Sequence, residues 1–166
     1  MENLIGGPKK RFYIPAPDFT VTVNYDLPLE LAISAGKYDD KDRITEPEFP
    51  SSRRGILKVT VAIAFFNRET TSDDITQEFH VQGFRAAEVR ELLAWQVQHW
   101  SSHSGASIVA LGPGGAKPDS GRQVVYVENY HLPRGAVHNL RTSPWNGPWN
   151  DKWDSRFRFA AVMDSA

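Results

Sequence analysis

ILKVTVAIAFF, from Ile56 to Phe66, is the stretch that decides the fold. Val59, Val61, Ile63 and Phe65 alternate with Thr60, Ala62 and Ala64, the period of two that sends successive side chains to opposite faces of a sheet. From Val61 onward both faces are apolar. A strand apolar on both sides is covered on both sides, so this one is expected at the centre of a sheet, with its four odd-numbered residues buried.

Upstream, Phe19 to Tyr25 (FTVTVNY) alternates apolar and polar residues as a half-buried strand does. Asp26 stands where an N-cap belongs and Gly36 where a helix stops, which predicts a short helix over 27–35. Pro47 and Pro50 mark 37–54 as an irregular excursion. Downstream, Thr71, Ser72, Asp73 and Asp74 open a second helix that buries Ile75 and Phe79 and ends at Gly83. A third helix is expected over 87–100, carrying Val89, Leu92, Leu93, Gln96 and Trp100 near helical spacing. Glu88 and Glu91 early in it and His99 late in it suit the helix dipole.

After Gly105 come short strands and long loops. Strands are expected at Ser107–Leu111, Gln123–Tyr130, Ala136–Arg141 and Arg156–Val162, the last with Phe157 and Phe159 inward and Arg156 and Arg158 outward. Loops fall at 112–121 and 143–154. Helices and strands mix without regular βαβ alternation. The class is therefore α+β, a mixed or antiparallel sheet with two to three helices.

The chain has 166 residues, enough for a single α+β domain over 12–166 after a flexible arm at 1–11 that carries Lys9, Lys10 and Arg11. A net charge of −1 supplies no field for nucleic acid or an acidic membrane surface. No window reaches the roughly 18 apolar residues of a membrane helix, and the start lacks a signal-peptide core. With no cysteine there are no disulfides, thiolate metal sites or thiol nucleophiles. A cytoplasmic location is expected, or a virion-associated one for a phage protein.

Few residues are arranged for catalysis. The loop GPGGAKPDSG at 112–121 lacks the Gly-Lys-Ser/Thr ending of a phosphate loop, and no helix follows it. His99 and His103, four apart, are a metal candidate, but Ser101, Ser102, Ser104 and Gly105 end the helix there. No Gly-x-Ser-x-Gly elbow is present. Asp39/Asp40 and Asp73/Asp74 read as loop and cap chemistry. A hydrolase stays open only because paired carboxylates need be close in space, not in sequence.

The most unusual stretch runs PWNGPWNDKW, from Pro144 to Trp153, with three of the five tryptophans and Pro-Trp-Asn twice. Gly147 and Pro148 bar a continuous helix through it. Aromatic faces interleaved with amides and a carboxylate make a recognition surface, so Trp145, Asn146, Trp149, Asn150, Asp151 and Trp153 are the candidate ligand-binding residues. The competing role is a core plug, in which each buried indole N–H finds a partner.

Over about residues 83–163 the chain resembles the C-type-lectin-like fold, which includes formylglycine-generating-enzyme-like proteins and variable ligand-binding proteins of phages and bacteria. The resemblance is carried by a helix, the Ile108-Val109-Ala110-Leu111-Gly112 strand, the tryptophan-rich loop, Trp149-Asn150-Asp151 and the closing Arg-Phe-Arg-Phe-Ala-Ala-Val strand. Glu128 lies 21 residues before Trp149, near where the lectins place a calcium-binding Glu-Pro-Asn; here the residues are Glu128-Asn129-Tyr130. The ending is also similar to that of uncharacterised bacterial proteins. Without cysteines, the copper chemistry of the formylglycine-generating enzymes does not carry over.

The expected function is a non-enzymatic recognition module for a protein or glycan ligand, meeting the loops at 112–121 and 143–154. The first alternative is a calcium-assisted glycan binder with Glu128, Asn150 and Asp151 as ligands, calcium being the one cofactor the resemblance implies. The others are a phage or bacterial structural subunit, which would be oligomeric, and a hydrolase.

Overall fold

The computed structural model describes residues 12–14, 19–51, 53–100, 105–112, 116–117, 121–149 and 151–163. The basic arm expected at 1–11 lies outside them. In chain order the elements begin with β1 (Phe12–Tyr13), β2 (Phe19–Asn24), α1 (Leu29–Ala35), β3 (Asp40–Lys41), a 3-10 turn (Glu46–Glu48) and β4 (Ile56–Phe66). Then come α2 (Ser72–Val81), β5 (Phe84–Ala86), α3 (Val89–His99), β6 (Ser107–Ala110) and β7 (Ala116–Lys117). The chain closes with β8 (Gly121–Leu132), β9 (Gly135–Pro144) and β10 (Phe157–Met163).

The 56–66 strand is central, as its apolar faces require. On one edge β4 pairs antiparallel with β2 and then β1; on the other it pairs antiparallel with β10, with Val162 opposite Val61 and Arg158 opposite Phe65. β10 is shared further. Its start runs parallel to β6 and its end antiparallel to β5. β6 leads to the long β8–β9 hairpin, and β3 adds in parallel at the far side of β9. The sheet is mixed, three α-helices pack around it among the described residues, and the class is α+β.

Strand alternation splits the core into two layers. Val59, Val61, Ile63, Ala160, Val162, Ile108 and Val127 face α1 and α3, where Leu29, Ile33, Leu92, Leu93 and Trp95 cover them. Ala62, Ala64, Phe66, Phe157, Phe159, Ala161 and Val109 face the other way, under Ile75 and Phe79 of α2 and under Trp153. Phe157 and Phe159 point inward as expected, while Arg156 is exposed and Arg158 half-buried.

Three expectations need correction. Phe65 is 40% exposed, because the buried cluster on its face ends at Ile63; Tyr13 flanks its ring at 5.5 Å and the Arg158 guanidinium lies over it. Asp26 does not cap α1. Pro28 holds that position, the Leu29 N–H donates to Glu46 Oε1 at 3.0 Å, and the Asp26 carboxylate accepts from the Gly55 N–H instead. Gly36 does end the helix, but in right-handed geometry, with Lys37 taking the positive φ of 50°. A Cβ at 36 would stand 2.4 Å from the Tyr38 ring, so a larger residue there requires that ring to shift. β1, β3 and β5, two or three residues each, carry too few side chains for a legible period.

Candidate functional site

The tryptophan-rich loop leaves β9 at Pro144 and is tied down from beneath. Thr70 and Trp153 exchange backbone hydrogen bonds at 2.9 and 2.8 Å, and the Trp153 indole N–H donates to Ser72 Oγ at 2.7 Å. The Ser72 hydroxyl donates onward to the Trp145 carbonyl, and the Ser72 N–H donates to Asn146 Oδ1 at 2.8 Å. Asn146 thus satisfies an amide at the start of α2, which otherwise has no helical partner. Gly147, at φ 99°, passes so close that a Cβ would lie 3.1 Å from the Lys152 carbonyl and 3.3 Å from the Trp153 ring.

The three tryptophans divide the roles that their sequence left open. Trp153 is fully buried, edge-on to Phe157 and Phe159 at 4.8 and 5.3 Å; it is a core plug. Trp149 is 53% exposed, with the Arg156 guanidinium 4.7 Å from its ring centre. Arg156 is in turn held by Asp154 at 2.6 Å, and this hydrogen-bonded pairing lowers the Asp154 pKa. Trp145 is half-buried: its N–H donates to Asp73 Oδ1 at 3.3 Å, and the Arg122 guanidinium stacks 3.9 Å from its ring centre. Asp151 is exposed at φ 56°, and Asn150 lies outside the described residues.

Glu128 sits elsewhere, on β8 opposite Ser107 and Asn139. Its Oε1 accepts from Arg141 Nε at 3.1 Å and Asn139 Nδ2 at 3.4 Å, and the same arginine reaches Asp40 at 2.9 Å. His99 has a structural role: its Nε2–H donates to the Thr20 carbonyl at 3.0 Å and the ring packs on Phe19. His103 lies outside the described residues. Among the described residues no group of three or more histidines, aspartates and glutamates is placed to hold a metal ion.

Reading the sequence missed what stands at the start of α3. Glu88 and Glu91 are both buried, and they form a reciprocal capping box. Glu91 accepts a forked pair from Arg85 at 2.9 and 2.6 Å and a 2.5 Å hydrogen bond from the Tyr25 hydroxyl, which burial and then this bond push above the ordinary tyrosine pKa. Glu88 accepts from Ser51 at 2.6 Å and pairs with Arg53 at 3.3 Å. The Glu-x-x-Glu spacing, with Arg85 six residues before Glu91, was the available signal; Ser51, Arg53 and Tyr25 come from distant parts of the chain. Beside these residues opens a cleft of about 380 Å³ lined by Arg53, Arg85, Glu88, Leu111, Gly112 and Arg122. Gly112 bounds it where β6 ends, its N–H donating to the Ala87 carbonyl at 2.7 Å. Arg122 both lines this cleft and stacks on Trp145 of the tryptophan-rich loop.

No family model matches the chain, and no curated protein and no solved structure matches it.

Proposed function

We propose that the chain is a non-enzymatic recognition domain whose protein or glycan ligand meets the loops at 112–121 and 143–154. The observation that carries this is Trp149, half exposed on a loop whose underside is fixed by Trp153, Ser72, Asn146 and Gly147. An aromatic face presented on a pre-ordered loop gains contact area without an ordering cost on binding. Arg122, directly after the first loop, stacks on Trp145 of the second, which supports one shared surface. The lectin-like resemblance over 83–163 belongs to the same proposal. A calcium-assisted variant would require Glu128 to leave Arg141, its present partner.

The test is a screen of the intact chain against immobilised peptides and glycans, with and without a calcium chelator, repeated with Trp149→Ala. Retention lost in the variant at an unchanged melting temperature supports the proposal. Retention identical in the two proteins for every captured ligand rejects Trp149 as the contact.

A further inference from the structure

We propose that the cleft beside the start of α3 binds an oxyanion, a carboxylate or a phosphate group, on the guanidinium of Arg122. This rests on the recognition function above and gives its ligand a chemical class. Three guanidinium groups line the cleft, those of Arg53, Arg85 and Arg122, against one carboxylate, Glu88. The carboxylates near the back wall are committed within the protein: Glu88 to Ser51 and Arg53, and Glu91 to Arg85 and Tyr25.

Arg122 is held differently. It stacks on Trp145, and among the described residues no carboxylate hydrogen-bonds its guanidinium. Asp73 attracts it from farther away, while its own Oδ1 accepts from the Trp145 N–H. Arg122 is exposed as a residue, so its guanidinium is reachable from solvent, and the partial desolvation it meets holds its pKa below the ordinary guanidinium value. A guanidinium stacked on an aromatic face keeps its in-plane N–H fork available, and that fork matches the two oxygens of a carboxylate or phosphate. The aromatic face also fixes the fork in place before the anion arrives. The cleft therefore has a cation, an orientation and a volume suited to the charged end of a ligand.

The experiment titrates the intact chain with inorganic phosphate in one arm and succinate in the other, and follows the arginine Nε–H resonances by NMR at matched ionic strength against sodium chloride. The expected result is a saturable shift of the Arg122 resonance with at least one of the two anions and none with chloride. The arm that saturates at lower concentration distinguishes phosphate from carboxylate. Arg122→Lys, which keeps the charge but loses the fork, should weaken that binding about tenfold or more at an unchanged melting temperature. No saturable shift in either arm, an equal response to chloride, or undiminished affinity in Arg122→Lys overturns the inference. Failure here with Trp149→Ala still abolishing ligand capture removes only the oxyanion. Anion binding at Arg122 with capture indifferent to Trp149 removes only the recognition loop.

Discussion

The indole N–H of Trp153 donates to the hydroxyl of Ser72 at 2.7 Å, joining positions 81 residues apart and seating the tryptophan-rich loop on the first turn of α2. Removing the indole should open a large cavity under Phe157 and Phe159, so Trp153→Ala should lose about 3–5 kcal/mol in chemical denaturation. Ser72→Ala should lose about 1–3 kcal/mol, because it strands a buried N–H. Trp149→Ala should lose less than about 1 kcal/mol, since half of that side chain already faces water. Equal losses for Trp149 and Trp153 would contradict the division between anchor and contact.

The two ends of β4 should differ in the same assay. Val61 is fully buried beneath α3, and Val61→Ala should cost roughly 1–3 kcal/mol through lost transfer energy and a residual cavity. Phe65 is 40% exposed and rests on Tyr13 and Arg158, so Phe65→Ala should cost less despite removing more atoms. The reverse order would mean that the strand is covered at its far end.

Much of this was legible in the sequence because it depends on local period. Ile56–Phe66 states its own central place, and Arg156–Val162 states which of its aromatic residues turn inward. The tryptophan-rich loop stood out by composition, yet its roles could not be divided there. Whether an indole is plug or contact depends on Ser72, Phe157 and Arg156 meeting it, and Ser72 is 81 residues away in the chain. Glu88 and Glu91 read only as dipole partners, because no local period shows that Arg85 forks onto Glu91 or that Tyr25 and Ser51 arrive from far along the chain. The cleft that these groups border has no sequence period at all.

Tyr38 carries a buried hydroxyl that finds no hydrogen-bond partner among the described residues, and burial raises its pKa. Tyr38→Phe keeps the ring against Gly36 and removes the stranded polar atom. The variant should therefore be as stable as the parent or more stable by about 1 kcal/mol. A loss of that size on denaturation would mean that the hydroxyl is satisfied in solution.

His138 sets a pH dependence. Burial, opposed by the charge of Asp39 and aided by His131, pushes its pKa below the ordinary value, and its Nδ1 lies 2.8 Å from Asn129 Oδ1 in a network with Gln96. The folded chain then binds the proton more weakly than the unfolded chain. Stability from this group is complete above the ordinary histidine pKa of about 6.5 and is lost as the pH falls through it towards the lowered folded value. Calorimetric melting temperature should decline between about pH 7 and pH 5, and His138→Gln should flatten that decline. A decline of the same slope in the variant would assign it to other groups.

Oxidative footprinting of Trp149 by mass spectrometry tests the recognition surface most directly. With a ligand captured in the peptide and glycan screen, N-bromosuccinimide should oxidise Trp149 before Trp153 in the free protein, and the ligand should protect Trp149. Oxidation of Trp149 at the same rate with and without bound ligand would contradict the proposed surface.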